Sequence, residues 1–362
     1  MTIKGNVGEW SEIYTLLKVL GEEKLYAGDE SLEKIQDIIY PVIKVLRTEK
    51  SGNFEYEVKQ NIVFISSNGR ELLRLPAKEF TQKAQTTFKQ VLNNKKLKNT
   101  TFAIPEIEAF MEKIHCKSLK ASSTQKTDIT IVIHDEKTNQ QPILGFSIKS
   151  QLGSPSTLLN AGKTTNFRFK IDGLKSTQLA EVNAIDGRKK IIDRVAKIKM
   201  LGGILTFDKI LNNTFSNNLI LIDSLLPQII GAMLLSFYTK GFSTVTDLVQ
   251  LVEHSNPIGF DNSNKHCFYA YKVKKMLTDM ALGLTPARVW TGKYDATGGY
   301  LVVKDDGEVL CYHLYNRNEF EDYLFANTKL ETASTSRYDF GNIYQEGGNL
   351  YFNLNLQIRF IK

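Results

Sequence analysis

The residues of this 362-residue chain best placed to do chemistry are Asp128, Ser147, Lys149 and Gln151. Residues 127–134 are rich in β-branched side chains and alternate, with Ile129, Ile131 and Ile133 on one face and Asp128, Thr130 and Val132 on the other, which predicts a strand. The polar run 135–141 reads as a turn, and residues 143–151 alternate again, so Phe146 and Ile148 face one way and Ser147, Lys149 and Gln151 the other. Two antiparallel strands would set Asp128 beside the Ser-Lys-Gln row. A carboxylate and a lysine on one open sheet face form half of a metal-dependent site for cleaving phosphodiesters. The carboxylate holds Mg²⁺, while the ammonium orients or activates water and stabilises the charge of the phosphorane. The same alternation also suits an ordinary amphipathic hairpin with a solvated polar face.

One carboxylate holds Mg²⁺ weakly, so a second acid is needed from another element. The first helix, expected over residues 7–20 and stopped by Gly21, carries an apolar stripe of Trp10, Ile13, Leu16, Leu17 and Leu20. Glu9 lies inside that stripe and Glu12 at its edge, and a carboxylate in a buried stripe needs a cation or hydrogen-bond partners. Glu9 is therefore the leading candidate for the missing acid and metal ligand, with Glu12 second. The competing readings are a first-turn carboxylate favoured by the helix dipole for Glu9 and a solvated edge residue for Glu12.

A second helix is expected over residues 31–46, bent or split by Pro41, followed by short strands at 54–58, 62–65 and 71–75 with a hairpin signal at Asn68-Gly69. Helices are expected at 77–92 and 105–115, separated by the basic loop 93–99. After Lys149, residues 150–169 form a polar segment whose hydroxyls, amides and amines suit phosphate oxygens and base edges. Ser150, Ser154, Ser156, Asn160, Lys163, Asn166 and Arg168 are its candidate DNA contacts. Helices then dominate, at 176–184, 189–199, 218–238, 244–253 and 266–282, the apolar 218–238 reading as a buried central helix. From 285 the pattern turns β-rich, and the turn 332–339 offers Ser334, Ser336, Arg337 and Tyr338, with Arg337 the candidate reader of guanine. The chain thus reads as residues 1–125 leading into a core over 126–284, with a C-terminal β-rich segment over 285–362.

Asp128 followed by Ser147-Ile148-Lys149 resembles the PD-(D/E)xK nuclease core. The longer strings at 5–21, 127–133 and 145–169 resemble the HpaII-type restriction endonucleases, along the whole chain. Two departures stand out: Thr127 replaces the usual Pro, and Ser147 replaces the usual second carboxylate. The resemblance implies an α/β (α+β) fold with a mixed sheet flanked by helices and extra helical and β segments. It implies Mg²⁺-dependent double-strand cleavage at a short C/G-rich palindrome such as CCGG, and an acid from the N-terminal helix. A symmetric target further implies a homodimer.

Bulk properties agree. A net charge of +7 favours an anionic partner such as double-stranded DNA, and 42% hydrophobic residues indicate a well-cored globular protein. Three scattered cysteines suit a reduced compartment, and Cys311-Tyr312-His313 lacks zinc-ligand spacing. No apolar run reaches the length of a membrane span, and the N-terminus lacks the charge order and apolar core of a signal peptide, so cytoplasmic residence is expected. No Walker loop, GxGxxG fingerprint or GxSxG elbow is present. Two readings remain: a site-specific endonuclease, and a DNA-binding protein that keeps the nuclease fold without cleaving.

Overall fold

In a computed structural model, residues 2–95, 100–121, 127–135 and 139–361 are described. Parts of the basic loop (96–99) and of the hairpin turn (136–138) therefore lie outside the described residues. The chain divides into two compact units, Met1–Ser156 with Tyr294–Tyr323, and Thr157–Lys293 with Leu324–Ile361.

The first unit opens with α1 (Val7–Glu22), whose Asn6 and Glu9 form a capping box. Its expected stripe of Trp10, Ile13, Leu16, Leu17 and Leu20 is fully buried. The helix does not stop at Gly21. There a Cβ would come 2.5 Å from Thr81 Oγ1 and 2.6 Å from Thr81 N, so Gly21 serves a close helix approach and the left-handed turn falls at Glu23.

Next come β1 (Lys24–Gly28) and the 16-residue β2 (Lys34–Glu49), where the helix over 31–46 was expected. The apolar spacing there does fit a helix, but the run of Ile and Val is stiff at χ1, and Pro41 would break a helical ladder. In the strand Pro41 falls where β2 leaves β1, just before a register shift against the next partner. The meander β3 (Gly52–Lys59), β4 (Ile62–Ser67) and β5 (Arg70–Pro76) matches expectation, as do α2 (Ala77–Asn94) and α3 (Pro105–Lys113). The pair β6 (Ile129–Ile133) and β7 (Ile143–Ser150) completes this stretch.

In the second unit the polar segment is more ordered than the sequence suggested. It contains β8 (Thr157–Leu159) and the start of β9 (Asn166–Asp172), whose Phe167 and Phe169 are buried. There follow α4 (Leu179–Asn183), α5 (Lys190–Met200) and β10 (Ile204–Ile210). The expected central helix is two helices, α6 (Asn213–Ile222) and α7 (Leu226–Lys240), bent by 109°. Asp223 breaks it: its Oδ1 accepts from Leu225 N–H and its Oδ2 pairs with Lys272, while Pro227 opens α7. No single helix among the described residues is long and apolar enough to cross a membrane. Helices α8 (Val245–Ser255) and α9 (Phe268–Leu282) end this passage.

The chain re-enters the first unit as β11 (Gly299–Val303) and β12 (Val309–His313), and α10 (Arg317–Ala326) leads it out again. The second unit closes with β13 (Thr328–Leu330), β14 (Ile343–Glu346), β15 (Asn349–Asn355) and β16 (Ile358–Phe360). Its sheets run β10-β9-β15-β14 and β13-β16-β8. The first unit holds a nine-stranded mixed sheet, β1-β12-β11-β7-β6-β2-β3-β4-β5, with a further β1–β2 pairing that closes a circuit of six strands. Strand β7 sits inside it, antiparallel to β6 and parallel to β11. The mixed α/β class is as expected.

His313 ends β12 in full burial, ringed by Tyr40, Phe146 and Tyr315. Its Nδ1 accepts from Tyr315 N–H at 2.9 Å and its Nε2 has no hydrogen-bond partner among the described residues. Burial pushes its pKa down to about 4, with Asp135 pulling the other way. Below about pH 6.5 the unfolded chain takes up a proton that the folded one refuses, so the stability contributed by neutral His313 is present above that pH and lost as pH falls towards 4. At 1.36 kcal/mol per pKa unit the loss is roughly 3 kcal/mol. In denaturant melts, wild type should therefore lose more stability between pH 7.5 and 4.5 than His313→Phe does. Parallel pH curves for the two proteins would show that His313 is not held neutral.

Candidate active site

The β6–β7 ladder runs from Val132↔Ile143 to Ile129↔Phe146, and Asp128 N–H extends it by donating to Phe146 O at 2.9 Å. Strand β6 ends there, so the next inward amide of β7, Ile148 N–H, has no strand opposite it. The Asp128 carboxylate takes that place: its Oδ2 accepts from Ile148 N–H at 2.7 Å and from Ser147 Oγ at 3.0 Å. Thr127, which stands where the nuclease pattern has Pro, packs over Gly145 so closely that a Cβ on Gly145 would meet it at 2.8 Å. Its hydroxyl donates to Asp295 O at 3.4 Å, tying the approach to Asp128 to the segment before β11.

Ser147, at the position of the usual second acid, is buried and links the two reactive groups. It donates to Asp128 and accepts from Lys149 Nζ at 3.1 Å. Lys149 Nζ also lies 4.8 Å from the ring centre of buried Tyr300 on β11, the register partner of Ser147. Gln151 continues the ladder through its own N–H to Val303 O at 2.8 Å, which places its side chain at the edge of the same row.

The first helix docks at the end of β7 through Ser11 Oγ and Ser150 Oγ, 2.8 Å apart. The hydroxyl of half-buried Ser150, a candidate DNA contact from its sequence position, is used on α1 and also accepts from Leu152 N–H. One residue along from Ser11, the half-buried Glu12 has its pKa pushed up to about 8, first by loss of solvent and next by the Asp128 carboxylate. Lys120 and Arg47 oppose that rise, and no hydrogen bond or ion pair to Glu12 is found among the described residues.

Glu9, the leading candidate from the helical wheel, is occupied elsewhere. Its Oε2 accepts from Asn6 N–H at 2.8 Å and its Oε1 pairs with Lys120 at 3.3 Å. Being half-buried in the first turn, it meets its need for partners through the cap, and Glu12 is the helix acid that shares its field with Asp128.

No group of three or more His, Cys, Asp or Glu side chains suited to a metal is found among the described residues. Asp128 and Glu12 nonetheless offer two hard oxygen donors. Asp128 Oδ1 takes no hydrogen bond among the described residues, and the mutual repulsion that raises Glu12 is relieved by a cation.

The expected DNA contacts divide. In the first unit Ser154 is exposed and Ser156 half-buried. In the second, Asn166 and Arg168 are buried and bonded to other residues of the unit. Asn166 donates to Tyr338 O at 2.7 Å and accepts from Asn355 at 2.6 Å. Arg168 bonds Asp208 at 2.6 Å and Glu346 at 2.9 Å and stacks on Tyr351. Asn160 and Lys163 are exposed, with Lys163 paired to Asp339 at 2.6 Å. Ser334, Ser336 and Arg337 are exposed and Tyr338 half-buried, in a turn closed by Arg337 N–H on Ser334 O. Ser11, Lys120 and Tyr300 escaped the sequence reading. Only Ser11 carried a signal there, as a hydroxyl beside the helix acids.

The HpaII restriction endonuclease family matches residues 6–360 of the chain. The chain is similar to the type II restriction enzyme HpaII of Haemophilus parainfluenzae, with 46% identity over 360 residues that span 99% of this chain and 98% of that protein. No solved structure matches it.

The two helix acids should separate in stability. Glu12 is protonated in both states below about pH 4.5. As pH rises to about 8 the unfolded chain gains from releasing the proton that the folded one retains, so folding is penalised increasingly over that window. In EDTA, Glu12→Gln should melt a few degrees above wild type at pH 8 and level with it at pH 4.5. Glu9→Ala should melt lower at both, losing about 1 kcal/mol of capping. A destabilised Glu12→Gln at pH 8 would show that Glu12 does not sit against Asp128.

Proposed function

The chain belongs to the HpaII restriction endonuclease family, and from that premise we propose that it is a type II site-specific deoxyribonuclease whose reactive centre is Asp128, Glu12 and Lys149. The observation that carries the assignment of residues is the Asp128 carboxylate, held by Ile148 N–H and Ser147 and joined through Ser147 to Lys149; after loss of solvent, it is also the next cause that raises Glu12. This arrangement fits a PD-(D/E)xK type of core in which Ser147 stands at the second acid position and Glu12 supplies the charge that Ser147 lacks.

Each residue then has a task. Asp128 and Glu12 would hold Mg²⁺, which when bound would offset phosphate charge and lower the pKa of water. Lys149, fixed by Ser147 and Tyr300, presents an ammonium that orients the attacking water and stabilises the negative charge that develops on phosphorus-bound oxygen. Ser147 keeps Asp128 and Lys149 in register without adding a third anion. The substrate is double-stranded DNA. A short C/G-rich palindrome such as CCGG is the proposed target, cut by a homodimer whose two-fold axis matches that of the site.

Asp128→Asn and Lys149→Ala should each lower cleavage of a plasmid carrying the site by roughly a hundredfold or more while retaining duplex binding. Glu12→Gln should do the same and Glu9→Gln far less. Near-normal cleavage by Asp128→Asn or Lys149→Ala would sink the site, and near-normal cleavage by Glu12→Gln would remove that residue from it. Protons compete for Glu12 below pH 8, so the Mg²⁺ concentration giving half-maximal cleavage should rise as pH falls from 8 to 6 in wild type.

A further inference from the structure

A groove of about 740 Å³ opens on the second unit between residues 187–192, which lead into α5, and residues 331–335, which follow β13. Arg188 and Lys189 line it on one side, and Thr332, Ser334 and Thr335 on the other. Both cations are exposed, and neither has an ion-pair partner among the described residues. The same holds for Arg337, which follows directly on the hydroxyl-bearing wall. This is not for want of carboxylates nearby. Asp186 is engaged by Lys190 at 3.1 Å and Glu331 by Arg359 at 2.8 Å, which leaves the charge of Arg188 and Lys189 uncompensated.

The groove is also held in shape. Arg194 of α5, itself buried, donates to Asn183 O and Ile185 O on the segment before Arg188, and to Gly341 O and Asn342 Oδ1 beyond the opposite wall, at 2.6 to 2.9 Å. Four hydrogen bonds from one buried guanidinium fix residues 183–185 against residues 341–342, the stretches that flank the two walls of the groove in the chain. Like charges held together without counter-charges weaken the free protein and favour an anionic partner.

We propose that this groove is a contact surface for the DNA backbone, with Arg188 and Lys189 on phosphate oxygens and the hydroxyls of Ser334 and Thr335 beside them. It rests on the nuclease reading above. Paired guanidinium and ammonium groups beside hydroxyls suit phosphate chemistry, and such contacts fix position on the duplex without carrying sequence information.

Binding of the full-length protein to a duplex bearing its site and to a random duplex, over a salt series with Ca²⁺ in place of Mg²⁺, tests this. Arg188→Ala with Lys189→Ala should weaken both duplexes alike, by about tenfold or more, and lower the slope of log K against log salt by about two, one per phosphate contact. Arg188→Lys, which keeps the charge, should bind both duplexes nearly as well as wild type. Unchanged affinity and slope in the double variant, with wild type binding normally, would overturn the groove alone. Loss confined to the specific duplex would overturn it as a backbone contact and make it a base reader. Failure of wild type to bind or cut any duplex would overturn the nuclease reading and the groove with it.

Discussion

The capture of Ile148 N–H by the Asp128 carboxylate is the interaction on which the site depends. Strand β6 ends before it would cover that amide, and an N–H buried without a partner costs on the order of 1–3 kcal/mol. The carboxylate supplies the partner and is thereby fixed with one oxygen inward on β7 and the other outward. On its far edge β7 is locked by a parallel ladder to β11, which also carries Tyr300 under Lys149. The reactive groups are thus placed by sheet register and not by loop geometry.

Charge then selects what surrounds that carboxylate. A second acid directly on β7 would sit beside Asp128 and raise the repulsion further. The chain places a hydroxyl there, which can donate to one neighbour and accept from the other. The other carboxyl group that feels Asp128 lies instead on α1, anchored by the Ser11–Ser150 contact, with Lys120 and Arg47 opposing the rise in its pKa. Loss of solvent and the Asp128 charge together push the Glu12 carboxyl up to about 8, which favours its neutral form near pH 7.

The same need to satisfy buried polar groups explains the fate of the polar segment after β7. Asn166 and Arg168 look like nucleic-acid contacts by residue type, yet Phe167 and Phe169 between and beside them require the strand to be buried. Once the strand is buried, its polar side chains must find partners inside the unit, and Asp208, Glu346, Asn355 and the Tyr338 carbonyl provide them. Exposed Arg188, Lys189 and Arg337, by contrast, have no ion-pair partner among the described residues.

Local patterning by itself determined the β6–β7 hairpin with its Asp128, Ser147 and Lys149 row, the meander after it in the sheet, and the buried stripe of α1, because strict alternation and helical spacing leave one face to bury. It also pointed to two helix acids. Tertiary structure separates them: Glu9 closes its own helix cap and pairs with Lys120, whereas Glu12 feels the Asp128 charge, and neither follows from the wheel. It likewise decided β2, whose apolar spacing fits a helix as well as a strand until partners on both edges, β1 and β6, offer the backbone hydrogen bonds that Pro41 would interrupt in a helix. Such choices rest on groups far apart in the chain, which local spacing does not encode.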